Sequence, residues 1–116
     1  MSPRVRYAVI PLALAVLWLA GIVPTADAAP RSAARMAAAG HRLAQAWCQT
    51  CHAIDPDMAG LFDTAPSFQA IADRKGTTAL SLKVFWRTSH QNMPNIVIAP
   101  DQADALAAYI LSLRSR

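Results

Sequence analysis

Two cysteines and a histidine lie close enough together in this chain to hold one cofactor. Cys48 and Cys51 are separated by two residues, and His52 follows directly. If this segment starts at the end of a helix, side chains three residues apart project on the same side. Both sulfurs can then form thioether bonds to one porphyrin, and the imidazole next to them can coordinate its iron. The pattern therefore predicts the attachment of a c-type haem.

Three other interpretations of the cysteine pair agree less well with the sequence. The chain has no further cysteines, and a zinc site would need two more ligands that His41 and His90 do not supply at a suitable spacing. A thioredoxin-like redox pair would need a preceding strand in a βαβ unit, which the sequence pattern does not show. A structural disulfide in an exported protein remains an alternative, although it gives no role to His52.

A haem iron bound by one histidine has a sixth coordination position to fill. The candidate ligands are Met36, His41, Met58, His90 and Met93. Met93 is favoured because it lies in a polar loop, where no core position explains a methionine, and because Pro94 restricts that loop. Met58 follows His52 by only six residues, which is short for reaching the opposite face of the ring. His90 would give a bis-histidine site with a lower potential.

The first 28 residues have the features of a signal peptide. Two arginines precede an apolar stretch over residues 7–23, and Ala26 and Ala28 form a small-residue cleavage site. A retained membrane anchor is the alternative. The apolar stretch is at the lower limit of the roughly 17–25 residues that span a bilayer, and Pro11 interrupts it. We therefore expect cleavage after Ala28 and export to the periplasm, where thioether attachment in bacteria takes place.

The remaining chain is one small domain with a mild positive charge. Cleavage would leave 88 residues, and it would lower the net charge from +4 to about +3 because two arginines and one aspartate are removed. A domain of this size cannot bury a large core by itself, so an apolar haem would enlarge the hydrophobic core. This charge is consistent with docking to an acidic partner surface and equally with an ordinary soluble surface. It is too weak and too dispersed to indicate nucleic-acid binding.

The periodicity of the apolar residues predicts an all-α domain over residues 35–116, preceded by a short flexible lead over 29–34. The four predicted helices begin near Arg35, Pro66, Ala79 and Pro100. We expect Gly76 at the C′ position of the second helix and Thr77 or Thr78 as the N-cap of the third. The side chains expected to be buried are Phe68 and Ile71 in the second helix, Leu80, Val84, Leu82 and Phe85 in the third, and Ala103, Leu106, Ile110 and Leu113 in the last.

Three segments in this order resemble the class I cytochrome c family of small monohaem electron carriers. They are CQTCH, the loop QNMPN and the terminal helix LAAYILSL, and the resemblance covers residues 36–114. It implies a cytochrome c fold in which three to four helices and their loops wrap around one covalently attached haem. It also implies thioether bonds at Cys48 and Cys51, and His52 and Met93 as the iron ligands.

The resemblance extends to positions that support the haem. Gly40 resembles the glycine at which the first and last helices cross, and Tyr109 resembles the aromatic residue at that crossing. The aromatic residue that family members often have four positions before the first cysteine is replaced by Ala44. Leu43 or Trp47 would then have to fill the space, so the crossing is expected to pack differently.

The resemblance implies a role in haem binding for two further residues. Pro66 resembles the proline whose carbonyl accepts a hydrogen bond from the Nδ1 atom of the proximal histidine, a bond that fixes the orientation of the imidazole. Trp86 lies where family members often have an aromatic residue near the haem or its propionates, although a core position explains it nearly as well. The cations that could pair with propionates are Arg74, Lys75 and Arg87, and solvated surface positions explain each of them too.

The function implied by the resemblance is outer-sphere electron transfer without catalysis. The chain would be a periplasmic monomer that exchanges electrons with redox proteins such as a dehydrogenase, a cytochrome complex or a terminal oxidase. Such contacts are weak and brief, with small interfaces. A membrane contact is expected only if the N-terminal segment is retained. Two alternatives remain: a haem c subunit of a periplasmic dehydrogenase complex, and a ligand-binding or sensor haem protein with a labile sixth ligand.

Overall fold

The computed structural model describes residues 28–59, 65–88 and 93–115. The predicted signal peptide lies outside these ranges except for Ala28, and so does the ligand candidate His90. Contacts divide the chain into a unit over residues 1–30 and a unit over residues 31–116, and the side-chain contacts discussed below belong to the second. None of the helices in the described ranges has the length and apolar composition of a membrane span.

The described part of the chain consists of four α-helices and irregular segments, with no strand. The helices are α1 (Ala28–Trp47), α2 (Phe68–Asp73), α3 (Ala79–Arg87) and α4 (Pro100–Ser112). The prediction of an all-α fold is therefore confirmed. Both α2 and α3 pack against α4, which contributes half of the twelve buried apolar residues among those described.

Helix α1 begins earlier than the alanine-rich pattern predicts. Residues 29–34, expected to form a flexible lead, are helical and exposed. Alanines at four of the first seven positions of the helix favour this extension. Pro30 is tolerated because it lies in the first turn, where its missing N–H would have had no partner within the helix.

Helix α2 matches its predicted core side but ends differently. Ser67 is its N-cap and accepts a hydrogen bond of 3.1 Å from the Ala70 N–H. Phe68 is buried and Ile71 is half-buried, as predicted. The C-cap is Arg74, so the C′ position is Lys75, and Gly76 lies one residue beyond it instead of at C′ as predicted. Its φ of +84° nevertheless shows that the turn needs the conformational freedom of glycine.

Helix α3 starts as predicted but buries only one of the four side chains that were expected to be buried. Thr78 is the N-cap, and its hydroxyl and backbone exchange hydrogen bonds with Ser81. Leu82 is buried, whereas Leu80, Val84 and Phe85 are exposed at 69%, 53% and 46%, so their predicted burial is wrong. Leu80 and Val84 are four residues apart and form a row on the side of the helix away from Leu82. Because apolar residues lie on both sides of α3, the sequence alone does not determine which side is buried.

Helices α1 and α4 cross in close contact at Gly40. A Cβ atom at this position would lie 2.0 Å from the carbonyl oxygen of Ala105 and 2.8 Å from the Cβ of Tyr109. The helix crossing expected from the resemblance is therefore present. Next to it, Leu43 is half-buried against the core, whereas Trp47 is 37% exposed. Ala44, at the position where an aromatic residue was expected, is itself fully buried.

Candidate haem site

The cysteine motif continues directly from the end of α1. The Cys48 N–H donates to the Ala44 carbonyl at 2.8 Å, and the His52 N–H donates to the Cys48 carbonyl at 2.9 Å. These bonds from residue i to residue i−4 carry the helical turn through the motif. As a result, one tight backbone segment holds Cys48, Cys51 and His52, as the sequence predicts.

The two thiols of this motif are free and half-buried, so they do not form a structural disulfide. Burial, together with the nearby Cys51, raises the pKa of the Cys48 thiol to about 11. A redox-active cysteine pair has the opposite property, because its attacking thiol has a lowered pKa. The environment of Cys48 therefore disfavours the thioredoxin-like alternative.

His52 is oriented by a hydrogen bond across the motif. Its Nδ1 atom donates to the Pro66 carbonyl at 2.7 Å, which is the bond expected from the resemblance. Pro66 is held nearby because the Phe68 N–H donates to the Ala53 carbonyl at 2.9 Å. Since the proton is on Nδ1, the lone pair of Nε2 is available to a metal. The ring centroid of Phe68 lies 5.5 Å from that of the imidazole.

The structure reveals a polar cluster that the sequence interpretation missed. Tyr109 donates its hydroxyl to the Asp55 carboxylate at 2.5 Å and to the Ile54 carbonyl at 3.0 Å. His41 approaches the same carboxylate, with 3.0 Å between Nε2 and Oδ1, and its ring centroid is 4.8 Å from that of Tyr109. The polar partner of His41 is thus the Asp55 carboxylate. A loop aspartate has no periodic signature that could have indicated this role.

The hydrogen bonds in this cluster shift the protonation of two groups. The bond from Tyr109 is the main reason why the pKa of Asp55 is lower than usual, and the bond and charge of His41 act in the same direction. Burial, followed by the bond to Asp55 and its charge, raises the pKa of Tyr109. Around neutral pH the cluster therefore contains a carboxylate that accepts hydrogen bonds and a phenol that donates them.

Among the described residues, no contact joins Met93 to His52. It is half-buried and lines a small cavity together with Trp86, Pro94 and Ile98, among others. Met36 is 47% exposed and Met58 is 37% exposed. Trp86 packs against the core, as one of its two predicted roles requires, and it also lines this cavity.

A second cavity, of about 310 Å³, lies between α3 and the segment that precedes α4. Trp86, Ile98, Lys83 and Arg87 are among its lining residues. Of the three cations considered for the propionates, Arg87 lies at this cavity, while Arg74 and Lys75 are exposed beyond the end of α2.

Comparison with known proteins identifies the family. A family model described as cytochrome c oxidase, cbb3-type, subunit III matches residues 35–110. The chain is also 36% identical over 101 residues to cytochrome c-552 of Bradyrhizobium diazoefficiens, which covers 84% of this chain and 97% of the relative. The chain belongs to the class I c-type cytochromes. No solved structure gives a significant match.

Family membership establishes the cofactor and the general role. The chain is an electron-transfer protein with covalently bound haem c, its fold is the all-α cytochrome c fold, and proteins of this kind exchange electrons with redox partners. The donor set fits the cofactor, because two free thiols and an imidazole with an available Nε2 lie within five residues of one another.

Proposed function

We propose that this c-type cytochrome is a periplasmic monohaem electron carrier whose iron is bound by His52 and Met93. The observation that carries the proposal is the 2.7 Å hydrogen bond from His52 Nδ1 to the Pro66 carbonyl. It gives the imidazole one tautomer and one orientation, with Nε2 free for the iron. Such a bond also makes the ligand more basic.

The other haem contacts follow from the types of the remaining side chains. Cys48 and Cys51 form the two thioether bonds, which keep the cofactor attached during repeated electron exchange. Met93 supplies a soft sulfur ligand, which favours the ferrous state and raises the reduction potential. Trp86 lines the same small cavity as Met93 and adds apolar surface beside this ligand. The bound haem supplies a one-electron ferric–ferrous couple.

The location and the partners follow from export and charge. The N-terminal segment directs the chain to the periplasm and is removed after Ala28, with the cytochrome domain over residues 35–116. The net positive charge favours brief contacts with acidic surfaces of redox proteins, and its effect weakens as salt increases. The chain works as a monomer in these encounters.

The ligand assignment is tested by the absorption spectrum of the oxidised protein produced in the periplasm. Iron bound by methionine gives a weak long-wavelength charge-transfer band, which we expect in the wild type and in Met58→Ala. The band should be lost in Met93→Ala, because the sulfur ligand is removed. Met58 is the matched control, since it is 37% exposed and follows His52 by six residues. A band that survives in Met93→Ala would contradict the assignment.

A second candidate function is that of a haem c subunit in a larger oxidoreductase complex, with a dehydrogenase as one possible partner. It is favoured by the match to a family described as an oxidase subunit and by the exposed apolar row of Leu80 and Val84. Gentle purification of the chain from its native host distinguishes the two functions. A free carrier elutes at the size of a monomer, whereas a subunit elutes with a larger catalytic protein.

A further inference from the structure

Helix α3 exposes a row of side chains that no part of the described chain covers. Leu80, Val84 and Arg87 are separated by four and three residues, so they lie on one side of the helix over a length of about 11 Å. Leu80 and Val84 are 69% and 53% exposed, and Arg87 is exposed as well. Leu82, which is buried, holds the helix against the core. Packing within the domain therefore does not account for the apolar side chains of the row.

The row ends at the cavity of about 310 Å³ between α3 and the segment that precedes α4. Arg87 lines this cavity together with Val97, which is 97% exposed, while the half-buried side chains of Trp86 and Ile98 provide apolar walls. Because pockets for small ligands begin at about 300 Å³, the cavity has room for one large side chain of another protein. The α3 surface is defined as this cavity together with Leu80, Val84, Arg87 and Val97.

The α3 surface carries a positive charge that the described part of the chain does not balance. Helix α3 contains no acidic residue. Lys83, the other cation at the cavity, is paired with Asp104 at 2.7 Å. The side chain of Arg87, in contrast, makes no hydrogen bond or ion pair with a described residue. A guanidinium binds a carboxylate through two parallel hydrogen bonds, so the natural partner of Arg87 is an acidic side chain.

These features distinguish between three kinds of partner. A second copy of this chain, docked through the same surface, would bring two unpaired guanidinium groups together, and like charges repel. A membrane would cover Leu80 and Val84, but its flat surface would not fill the cavity, and helices that lie on membranes bury a broad apolar face. An acidic protein surface can both pair a carboxylate with Arg87 and insert an apolar side chain into the cavity.

We propose that the α3 surface is the docking site of an acidic redox protein, which pairs a carboxylate with Arg87 and inserts an apolar side chain beside Trp86. The inference rests on the proposed function, because docking here serves electron exchange. The position suits that role, since Trp86 and Ile98 also line the small cavity that is lined by Met93, the proposed iron ligand. One short helix and one segment bury little area, which agrees with a weak and brief contact.

The test measures electron exchange between the haem-loaded protein and the redox proteins of its native host. Membrane and periplasmic fractions of the host are mixed with the protein, and the change in haem absorbance gives the rate at each cytochrome concentration. Leu80→Glu and Arg87→Glu should each raise the half-saturating concentration by about fivefold or more, because each places a negative charge opposite an acidic surface. The maximal rate should be retained, because neither substitution changes a proposed iron ligand.

Met36→Glu and Arg42→Glu are the matched controls. Both residues are exposed on α1, which does not line the cavity. Each control changes the net charge by the same amount as the corresponding α3 variant, so the comparison isolates the position of the charge. At physiological salt both controls should change the half-saturating concentration by less than about twofold, because charges distant from the contact are screened.

The absorption spectrum and the melting temperature show whether each variant is folded, and if one α3 variant is not, the other provides the test. Equal effects of the α3 variants and their α1 controls would overturn the inference. So would binding of the wild type to vesicles of phosphatidylcholine and phosphatidylglycerol that both α3 variants lose, because it would assign the surface to a membrane. A wild-type dimer in sedimentation equilibrium that dissociates in both α3 variants would assign the surface to a second copy of the chain, with the same consequence.

The failure of this inference can be told apart from the failure of the proposed function. If the wild type carries haem and exchanges electrons with a host fraction, equal effects of variants and controls refute the docking site alone. A wild type that exchanges electrons with neither fraction would refute the proposed function and the docking site together.

Discussion

Tyr109 shows how one side chain can serve both packing and polar contacts. Its Cβ borders the close approach at Gly40, while its hydroxyl donates to Asp55 and to the Ile54 carbonyl. The ring alone can be kept by substituting phenylalanine, so the contribution of the hydroxyl can be measured separately. The sequence suggests the packing role through resemblance, but it does not indicate the partner of the hydroxyl.

Tyr109→Phe should lower the free energy of unfolding by about 1 kcal/mol. Hydrogen bonds to charged groups contribute about 1.5–3 kcal/mol, and the exposure of Asp55 reduces this value through solvent screening. Denaturant titration of the holoprotein at neutral pH measures the loss. A loss above about 3 kcal/mol would mean that the ring has moved as well.

The same bond predicts a pH dependence of stability. Because the pKa of Asp55 is lower in the folded state, its contribution is fully present above the ordinary aspartate pKa of about 4. The contribution is lost as the pH falls through the lowered folded value. The stability difference between the wild type and Asp55→Asn should therefore be constant at higher pH and shrink below about pH 4. Denaturant titrations at several pH values measure this difference, and a difference that grows on acidification would contradict the prediction.

At the scale of elements, the crossing of α1 and α4 depends on the absence of a side chain at Gly40. The nearest atoms to an added Cβ belong to the backbone of Ala105, which cannot rotate away. Gly40→Ala should destabilise the protein by at least about 2 kcal/mol, because overpacking outweighs the roughly 1 kcal/mol that alanine gains in a helix.

The matched control for this substitution is Gly76→Ala. No atom lies within 4 Å of the Cβ that it would add, so its cost comes from the positive φ alone, about 1–2 kcal/mol. Thermal unfolding of both variants compares the two effects. A smaller loss of stability in Gly40→Ala than in Gly76→Ala would contradict the close approach of the two helices at Gly40.

Helix α3 offers a matched pair of leucines that tests which side of the helix is buried. Leu82 is 7% exposed, whereas Leu80 is 69% exposed. Leu82→Ala should cost about 2–5 kcal/mol, as large-to-small substitutions in a core do, and Leu80→Ala should change stability by less than about 0.5 kcal/mol. Denaturant titration of the holoprotein measures both. The reverse order would mean that the side of the helix that carries Leu80 is the buried one.

At the scale of the whole molecule, the small size of the domain makes the haem part of the core. A chain of this length buries too little apolar surface for high stability by itself, so covalent attachment should stabilise the fold as a whole. The double variant Cys48→Ala, Cys51→Ala should lack covalent haem, measured by haem staining after denaturing electrophoresis. It should also show a lower melting temperature by circular dichroism. The two single variants serve as controls, because each keeps one thioether site.

The sequence alone determined the local features of this protein. Cys48, Cys51 and His52 are adjacent in the chain, and the types and order of these residues predict their chemistry before any folding. The helices also follow from local signals, such as the hydroxyl of Thr78 at the N-cap of α3 and Pro100 in the first position of α4. Resemblance to a known family added the Pro66 hydrogen bond and the crossing at Gly40.

Only the tertiary structure decided which distant groups meet. The buried side of α3 depends on its packing against α4, because apolar residues lie on both sides of the helix. Asp55 and Tyr109 are 54 residues apart, and only the folding of α4 against the motif brings the carboxylate and the hydroxyl to 2.5 Å. A sequence pattern records neighbours along the chain, whereas hydrogen bonds and burial depend on neighbours in space. The cysteine motif was therefore predictable, and the charged pair beside it was not.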